Sequence, residues 1–302
     1  MKTSTRPAVV FALCDTTGTY WMYTATAIAS LLQYASVKPR IFVMHDGSLG
    51  AKAQSLLERI ASANQTTINF IKVSVKESLS KLSLGHYTLA SLFRLLIPRV
   101  FSDEALVAYL DSDLICHGLD ITTLFDACAG CSALYAVQDP FIGQAPSHRS
   151  QLDTLGLSVQ SYFNSGVLVF RPQSVDHDLF DAFMAWWRQR PQTSHPDQDF
   201  LNHHFRDRWI RLDESFNFQV TVFDRRLFLT ADQYWKKVLH FAGKIKPIGH
   251  MAPGLLPWYV SLGLFPELQQ HLPQVAQHYL LEVPNRAHVV KRTPIALYDQ
   301  SA

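Results

Sequence analysis

The sequence predicts an α/β fold with a mostly parallel, Rossmann-like central sheet that helices flank on both faces. Apolar segments of strand length alternate with amphipathic segments of helical length along the first third of the chain. This alternation is typical of a parallel sheet with crossover helices. The 302 residues, of which 48% are hydrophobic, are also enough to bury a large core.

Apolar spacing along the chain predicts the individual elements. The segment 8–13 is wholly apolar, as expected for a strand buried on both faces. Apolar residues then recur at helical spacing from Tyr20 to Leu31, which predicts a helix that reaches about Gln33. Further strands are predicted at 40–45, 67–73, 105–110, 133–138 and 166–170. Further helices are predicted at 51–60, 89–96 (ended by Pro98), 175–190 and 198–205.

Composition and charge exclude several classes of protein. The formal net charge is +2, which gives no reason to expect a nucleic acid as a partner. Four cysteines are too few for a disulfide framework in a chain of this length, and they fit a reducing cytoplasm. No apolar run approaches the roughly 18–20 residues that span a bilayer. We therefore expect a cytoplasmic protein, with peripheral binding to the inner face of the cytoplasmic membrane as the alternative.

Two carboxylates directly follow the predicted strand 105–110, in the sequence Asp111-Ser112-Asp113. Open α/β sheets bind ligands at the carboxyl ends of their strands. Two carboxylates this close repel each other unless a cation neutralises them. The pattern indicates either a metal site with a phosphate ligand or phosphoryl transfer through an aspartate, although Asp-x-Asp alone also occurs in ordinary surface loops.

A second group of polar residues, His240, Gly243, Lys244 and Lys246, follows an apolar pair at 238–239. A lone histidine is more often a satisfied core or surface residue than a metal ligand. Here the glycine permits a close approach of the backbone, and the lysines are suited to a diphosphate. A histidine nitrogen with two carboxylates and two phosphate oxygens makes an octahedral set suitable for Mn²⁺.

Together these residues resemble glycosyltransferase family 8, the group that includes bacterial lipopolysaccharide galactosyl- and glucosyltransferases and glycogenin. The matching segments, in chain order, are the arginine-containing helix 91–98, the metal motif 109–113, Tyr-Phe-Asn-Ser-Gly-Val-Leu-Val at 162–169, Asp-Gln-Asp-Phe-Leu-Asn at 197–202, the Phe-Asn-Phe turn at 216–218 and His-x-x-Gly-x-x-Lys-Pro at 240–247. The resemblance therefore covers most of the chain, from the first strand to about Pro247.

The resemblance implies a GT-A fold and the retaining transfer of a hexose from UDP-galactose or UDP-glucose. By this resemblance Asp111, Asp113 and His240 hold Mn²⁺, with Mg²⁺ as the alternative ion, against the UDP diphosphate. Lys246 stabilises charge on the departing UDP. The other residues that the resemblance assigns to substrate binding or catalysis are Gly243 at the diphosphate, Arg94 and Asp139 at the donor sugar, Asn164 beside that sugar, Asp197 and Gln198 on the face where the acceptor approaches, and Asp15, Thr17 and Ser112.

Retention of configuration raises a chemical question at Gln198. Retaining hydrolases use a carboxylate nucleophile, whereas Gln198 carries an amide and is a poor nucleophile. We therefore hypothesise front-face attack, in which the leaving phosphate accepts the proton of the acceptor hydroxyl. For the carboxylates of Asp139 and Asp197, the alternative to a catalytic role is an ordinary loop carboxylate or a helix cap.

The loop after the first strand departs from the family pattern. That strand usually ends in an acidic pair followed by an asparagine and a tyrosine that hold the uracil and the ribose. Here Cys14 replaces the first acid and Asp15 keeps the second. Tyr20 and Tyr23 are the candidates for the aromatic contact with the uracil, and the alternative for both is the buried face of the first helix.

The chain is predicted to divide at about residue 250. Residues 1–250 form the catalytic domain, with a nucleotide-sugar half at about 1–115 and an acceptor half at about 116–250. Prolines, aromatic residues and basic residues mark 251–302, which predicts a helical C-terminal extension. This composition suits an anionic membrane or the acceptor, a glycan or lipid-linked glycan such as a lipopolysaccharide core. The alternative is a helical cap followed by a frayed tail.

Three other functions stay open from the sequence. A metal-dependent phosphohydrolase would use Asp111 as nucleophile and Asp113 as acid, but it leaves the His240 segment unexplained. A protein that binds a nucleotide-sugar without turnover would account for the altered Cys14 segment. Self-glucosylation on a tyrosine, as in glycogenin, is the third.

Overall fold

The computed structural model describes residues 6–74, 89–189, 193, 195–220, 235–242 and 246–247. The strands are β1 (Ala8–Leu13), β2 (Arg40–His45), β3 (Ile68–Lys72), β4 (Val107–Leu110), β5 (Leu114–His117), β6 (Leu134–Gln138), β7 (Phe163–Phe170), β8 (Trp209–Arg211), β9 (Phe218–Gln219) and β10 (Lys237–His240). The α-helices are α1 (Trp21–Tyr34), α2 (Ala51–Ala63), α3 (Ile97–Val100), α4 (Thr122–Asp126), α5 (Pro146–Leu155), α6 (Leu179–Gln189) and α7 (Pro196–His204). Short 3₁₀ helices occupy Leu89–Leu96, Val159–Ser161, Pro172–Ser174 and Glu214–Asn217.

The main sheet has the strand order β3-β2-β1-β4-β7-β6-β8 among the described residues. The pairs β3–β2, β2–β1 and β1–β4 are parallel, β7 runs antiparallel to both β4 and β6, and β8 is parallel to β6. The predicted architecture, a mostly parallel sheet flanked by helices, is confirmed. The single reversed strand β7 lies next to the end of β4, where the carboxylate pair begins.

Side chains of β1 alternate between two hydrophobic layers, because successive residues of a strand face opposite sides of the sheet. Val9, Phe11 and Leu13 pack in one layer with residues of α1 and α2. Ala8, Val10 and Ala12 pack in the other layer, with the 3₁₀ helix Leu89–Leu96 and with α6 and α7. Helices on both faces bury the whole of β1, and this explains its wholly apolar sequence.

A smaller sheet joins β5, β10 and β9 in that order. The segment Asp111-Ser112-Asp113 is the connection from β4 in the main sheet to β5 in the small one. Strand β10 is antiparallel to β5, with His240 opposite Leu114. This pairing returns His240 to the carboxylate pair across more than a hundred residues of sequence.

The pairing of β7 with β6 is interrupted by a β-bulge. Ala136 pairs with Leu168, but Val137 pairs with Asn164, so residues 165–167 have no partner on β6. A bulge frees backbone groups from the ladder and redirects nearby side chains. The buried backbone groups of residues 165–167 therefore need partners outside β6, and side chains from other elements supply several of them.

Two helix predictions were wrong in type or position. The segment 89–96 is a 3₁₀ helix instead of an α-helix, and Pro98 does not stop the chain but lies in the first turn of α3. Proline is tolerated there because the first amide groups of a helix have no intrahelical acceptor. The helix predicted at 175–190 begins only at Leu179, after the 3₁₀ turn Pro172–Ser174.

The predicted C-terminal extension, residues 251–302, lies outside the described residues, as do residues 248–250. The division at about residue 250, and the two halves of the catalytic domain, stay predictions. Within the part of the chain that the structure describes, no helix has the length and apolar character needed to cross a bilayer.

The buried position of β7 predicts a matched pair of stability effects. Val169→Ala removes two methyl groups from a fully buried side chain, and we expect it to lower the free energy of unfolding by about 2 kcal/mol. Val100→Ala makes the same chemical change where the side chain is exposed, with an expected effect within about 0.5 kcal/mol. Urea unfolding of both variants tests the difference, and equal effects would contradict the assigned packing.

Candidate active site

Three metal-binding side chains converge where the two sheets meet. Asp111, Asp113 and His240 each offer one ligand atom, and these atoms all lie within 4.8 Å of one another. His240 Nε2 lies 3.4 Å from Asp113 Oδ1 and 3.7 Å from Asp111 Oδ2. Asp113 and His240 are buried, while Asp111 is partly exposed. Two carboxylates and one imidazole on one side of a shared point form a ligand set for a divalent cation.

Arg94 and Tyr109 hold Asp111 from behind. The guanidinium Nη2 donates to Asp111 Oδ1 at 2.9 Å, and the Tyr109 hydroxyl donates to the same oxygen at 2.7 Å. Arg94 also lies over the Tyr109 ring, 4.6 Å from its centroid. Both donors bind Oδ1, and the other carboxylate oxygen, Oδ2, faces His240.

Asp113 is paired with Lys246, whose ammonium donates to Asp113 Oδ2 and to the carbonyl of Phe241. The backbone of Asp113 is fixed as well, since its carbonyl accepts from the amide of Phe241 at 2.9 Å. Burial alone would raise the pKa of the Asp113 carboxyl, but Lys246 and His240 beside it hold the pKa below its ordinary value. The ionised carboxylate that a metal requires is therefore the stable form.

Arg94 is a buried cation between two acidic positions. In addition to Asp111, its Nε lies 3.4 Å from Asp197 Oδ2. Its Nη1 donates to the carbonyl of Ser165 at 2.5 Å, within the bulge of β7. Burial would lower the pKa of the guanidinium, but the surrounding carboxylates raise that pKa above its usual value. Arg94 therefore stays charged and compensates the buried carboxylates around it.

Gln198 and Asn164 form a side-chain amide network with Asp139. Gln198 Nε2 donates to Asp139 Oδ2 at 3.1 Å, and Asn164 Nδ2 donates to the same oxygen at 3.3 Å. Gln198 Oε1 accepts from the amide of Ser165 at 2.9 Å and from Asn164 Nδ2 at 3.1 Å. The other Asp139 oxygen accepts from the amides of Phe141 and Ile142. The predicted sugar-side residues thus lie together.

Asp197 is not the N-cap of α7, which is His195, so the predicted helix-cap alternative is wrong for this residue. It lies in the first turn of α7, where a carboxylate is favoured by the helix dipole. Its Oδ2 also accepts from the Ser165 hydroxyl at 3.2 Å. The side chain is buried beside Arg94, so it belongs to the same connected network as Asp111.

Residues of the first-strand loop have mostly local partners. Asp15 Oδ1 accepts from the amides of Tyr20 and Trp21, and so caps the start of α1. Thr17 is exposed, with its hydroxyl 2.9 Å from that of Thr19. Tyr23 is a core residue, whereas Tyr20 is only partly buried. Burial, followed by the carboxylates of Asp113 and Asp111, raises the pKa of the Tyr20 hydroxyl, which places it near the metal-binding pair.

Ser112 is buried and its hydroxyl has two protein partners. It accepts from Thr24 Oγ1 at 2.8 Å and donates to the carbonyl of Ala12 at 3.1 Å. These bonds tie the carboxylate pair to α1 and β1. The predicted substrate contact of Ser112, like those of Asp15 and Thr17, stays a prediction. Gly243 lies outside the described residues.

Two buried residues with no predicted role belong to the same network. The side-chain oxygen Oδ1 of Asn217 lies 2.9 Å from His240 Nδ1, and its Nδ2 donates to Asn164 Oδ1 at 2.8 Å. Asp199 accepts from the Tyr162 hydroxyl and from Gln151 Nε2, each at 2.5 Å. The Phe-Asn-Phe turn and the Asp-Gln-Asp sequence were visible as motifs, but their spacing did not indicate these contacts.

A family model settles which group the chain is part of. The model described as Glycosyl transferase family 8 matches residues 11–248, which include every element of the site. This chain belongs to glycosyltransferase family 8.

Curated relatives of this family 8 chain include two bacterial glycosyltransferases. Glycosyltransferase GlyB of Streptococcus pneumoniae is 30% identical over 239 residues, which are 78% of this chain and 54% of that protein. Lipopolysaccharide glucosyltransferase WaaO of Escherichia coli is 25% identical over 230 residues, covering 73% of this chain and 67% of that protein. The chain thus spans about half to two thirds of the length of these relatives.

Solved structures confirm the predicted GT-A fold of the family 8 chain. The crystal structure of the galactosyltransferase LgtC, in complex with donor and acceptor sugar analogs, matches with a TM-score of 0.69 at 22% identity. The match covers 94% of this chain and 99% of that one. At this level of identity the likeness concerns the fold.

Asp199 predicts a pH-dependent term in the stability of the family 8 chain. Burial raises the pKa of this carboxyl from 3.8 to about 6. The folded state therefore keeps the proton at pH values where the unfolded chain has lost it. Relative to Asp199→Asn, wild-type stability is greatest below about pH 4 and falls by about 2–3 kcal/mol as the pH rises through about 6. Urea unfolding of both proteins between about pH 4 and 7 measures this, and a constant difference would contradict it.

Proposed function

We propose that this chain is a retaining glycosyltransferase that moves a hexose from a UDP-sugar to an acceptor hydroxyl with a divalent cation, Mn²⁺ or alternatively Mg²⁺. The observation that carries the proposal is the convergence of Asp111, Asp113 and His240 within 4.8 Å at the junction of the two sheets. Membership of family 8 supports the reaction class. The metal, the donor and the stereochemical course are parts of the proposal.

The three side chains fit a metal ion bound on one face. Their ligand atoms are separated by distances that neighbouring positions of one coordination sphere allow. The mixed oxygen and nitrogen set favours a transition metal such as Mn²⁺, since Mg²⁺ is usually bound through carboxylates and water. A bound cation would neutralise the diphosphate and stabilise the charge that the leaving UDP acquires.

The contacts of Lys246 support a role as a second cation for the leaving group. Its ammonium contacts Asp113, so it lies at the metal-binding carboxylate and not at the sugar-side network. A fixed positive charge there stabilises negative charge on the departing nucleotide without reorganisation. Arg94 acts differently, because its donors are already engaged by protein oxygens and orient Asp111 and Asp197.

The contacts of Gln198 support front-face attack. Its Oε1 accepts from the Ser165 amide and from Asn164 Nδ2, and its Nε2 donates to Asp139. An amide oxygen that already accepts from two donors is a poor nucleophile. We propose that Gln198, with Asp139, Asn164 and Asp197, shapes the sugar face while the leaving phosphate accepts the acceptor's proton. A covalent sugar trapped on Asp197 or Gln198 would overturn this course.

The names of the relatives support the proposed donor and acceptor. The names of WaaO and LgtC concern a glucosyl and a galactosyl transfer, and we propose UDP-glucose or UDP-galactose as the donor here. We propose a glycan or lipid-linked glycan as the acceptor, such as a lipopolysaccharide core. The enzyme would then work in the cytoplasm or peripherally at the inner face of the membrane, with residues 251–302 as the proposed contact.

The proposal predicts slow hydrolysis of one UDP-sugar without an acceptor. UDP release is measured across a panel of UDP-sugars, with Mn²⁺ and with EDTA. We expect Asp113→Ala and the isosteric Asp113→Asn to lower the metal-dependent rate at least about 100-fold, because each removes one ligand charge. Asp103→Asn, which neutralises an exposed carboxylate in the turn after α3, is the matched control and should keep the rate.

Other results would redirect the assignment. Phosphate release from simple phosphate esters, without any from a UDP-sugar, would favour the phosphohydrolase. An absence of both hydrolysis and Mn²⁺-dependent UDP binding would contradict the proposal. Added hexose masses on the protein after incubation with UDP-glucose would identify self-glucosylation.

A further inference from the structure

A continuous chain of side-chain amides links the sugar-side carboxylate to the metal-binding histidine. It runs from Asp139 through Asn164 and Asn217 to His240, with contacts of 3.3, 2.8 and 2.9 Å. All four side chains are buried. Asn217, at the end of the 3₁₀ helix Glu214–Asn217, is the link with no assigned role.

The backbone determines which way Asn164 faces. The amide of Gly166 donates to Asn164 Oδ1 at 2.9 Å. A backbone N–H is only a donor, so the atom that it meets must be the oxygen of the side-chain amide. The nitrogen of Asn164 therefore faces Asp139 and Gln198, where both partners are acceptors.

The orientation of Asn164 then determines the orientation of Asn217. Asn164 Oδ1 is an acceptor, so the atom of Asn217 that contacts it at 2.8 Å is the nitrogen Nδ2. The oxygen Oδ1 of Asn217 is consequently the atom 2.9 Å from His240 Nδ1. Two acceptors cannot form a hydrogen bond, so Nδ1 of a neutral His240 carries the proton. Its Nε2 is then the nitrogen that can offer a lone pair to a metal held with Asp111 and Asp113.

Gly166 leaves the space that this arrangement needs. A Cβ at position 166 would lie inside contact distance of His240 Cε1, 2.6 Å from His240 Nδ1 and 2.9 Å from Asn164 Oδ1. The absence of a side chain at the bulge therefore allows the imidazole and the amide to approach the same strand. The packing against Gly166 fixes the plane of the His240 ring, while Asn217 determines which ring nitrogen carries the proton.

We propose that Asn217 is a positioning residue that fixes the tautomer and orientation of His240 for metal binding. It does so through an amide chain whose direction is set by the backbone of β7. The metal that His240 would bind rests on the proposed function, but the tautomer does not. Through the same series of hydrogen bonds, the orientation of His240 depends on the sugar-side residues Asn164 and Asp139.

Tautomer measurement tests the first part in the protein without metal or nucleotide. Long-range ¹H–¹⁵N spectra show which ring nitrogen of a histidine carries a proton. His240→Gln identifies the His240 signals among the 13 histidines. We expect a proton on Nδ1 in the wild type and loss of this fixed form in Asn217→Leu. An Nδ1 without a proton in the wild type would overturn the proposal.

Metal affinity tests whether the orientation of His240 supports metal binding. The electron paramagnetic resonance signal of free Mn²⁺ measures this affinity, with Mn²⁺ alone and with Mn²⁺ plus UDP. Removal of an outer partner of a metal ligand typically weakens affinity by about 10- to 100-fold, and we expect this loss in Asn217→Leu. Asn217→Asp keeps an acceptor for Nδ1–H but sets its second oxygen against Asn164 Oδ1, which is also an acceptor. It should therefore recover part of the affinity that Asn217→Leu loses.

A control separates positioning from a general loss of packing. Asn202 is an equally buried amide whose side chain bonds to backbone groups of Phe163 and Gln198 and not to His240. Asn202→Leu should lower stability without changing the His240 tautomer or the Mn²⁺ affinity. Equal losses of affinity in Asn217→Leu, Asn217→Asp and Asn202→Leu would show a structural role and overturn the proposal. If no UDP-sugar is consumed while the tautomer and affinity results hold, the proposed function fails and this inference stands.

Discussion

The bulge in β7 is the constraint on which the site depends. It removes Ser165 and Gly166 from the pairing with β6, and their backbone groups must find other partners in a buried setting. The Ser165 amide bonds to Gln198 and its carbonyl to Arg94, while the Gly166 amide bonds to Asn164 and its carbonyl to the Asp111 amide. Each of these partners is a site residue. A structural requirement of the strand therefore also sets the geometry of the site.

Charge compensation around Arg94 imposes the second condition. Asp111 and Asp197 come from different elements and would repel each other in a buried site, but the guanidinium contacts both. Asp113 is compensated separately by Lys246. The metal-binding pair therefore has one carboxylate held by a buried arginine and one held by a lysine on a later segment. We propose that a metal and a diphosphate change the contact between Asp113 and Lys246, because Lys246 is more exposed than Arg94.

Local sequence explains which parts of this structure were predictable. Strand 8–13 was predicted with its observed bounds because a continuous apolar run buried in a parallel sheet leaves few alternatives. Strand 40–45, in which four apolar residues lie between Arg40 and His45, was also predicted with its observed bounds. Strand β7 was predicted to begin at residue 166, whereas it begins at Phe163, because the polar Asn164 and Ser165 are buried only through partners far away in sequence. The role proposed for Asn217 was invisible for the same reason, since it requires the pairing of β10 with both β5 and β9.

The departure at Cys14 concerns a different part of the molecule from the metal side. Burial raises the pKa of the Cys14 thiol to about 12, and the carboxylate of Asp46 beside it adds to this shift, so the thiol stays protonated. Asp15, the acid that remains, accepts from the amides at the start of α1. The residues around Asp111, Asp113 and His240 are tied to β7 and β10, and Ser112 also joins them to α1 and β1. We therefore propose that Cys14 affects the proposed nucleoside contact more than the metal-binding side chains.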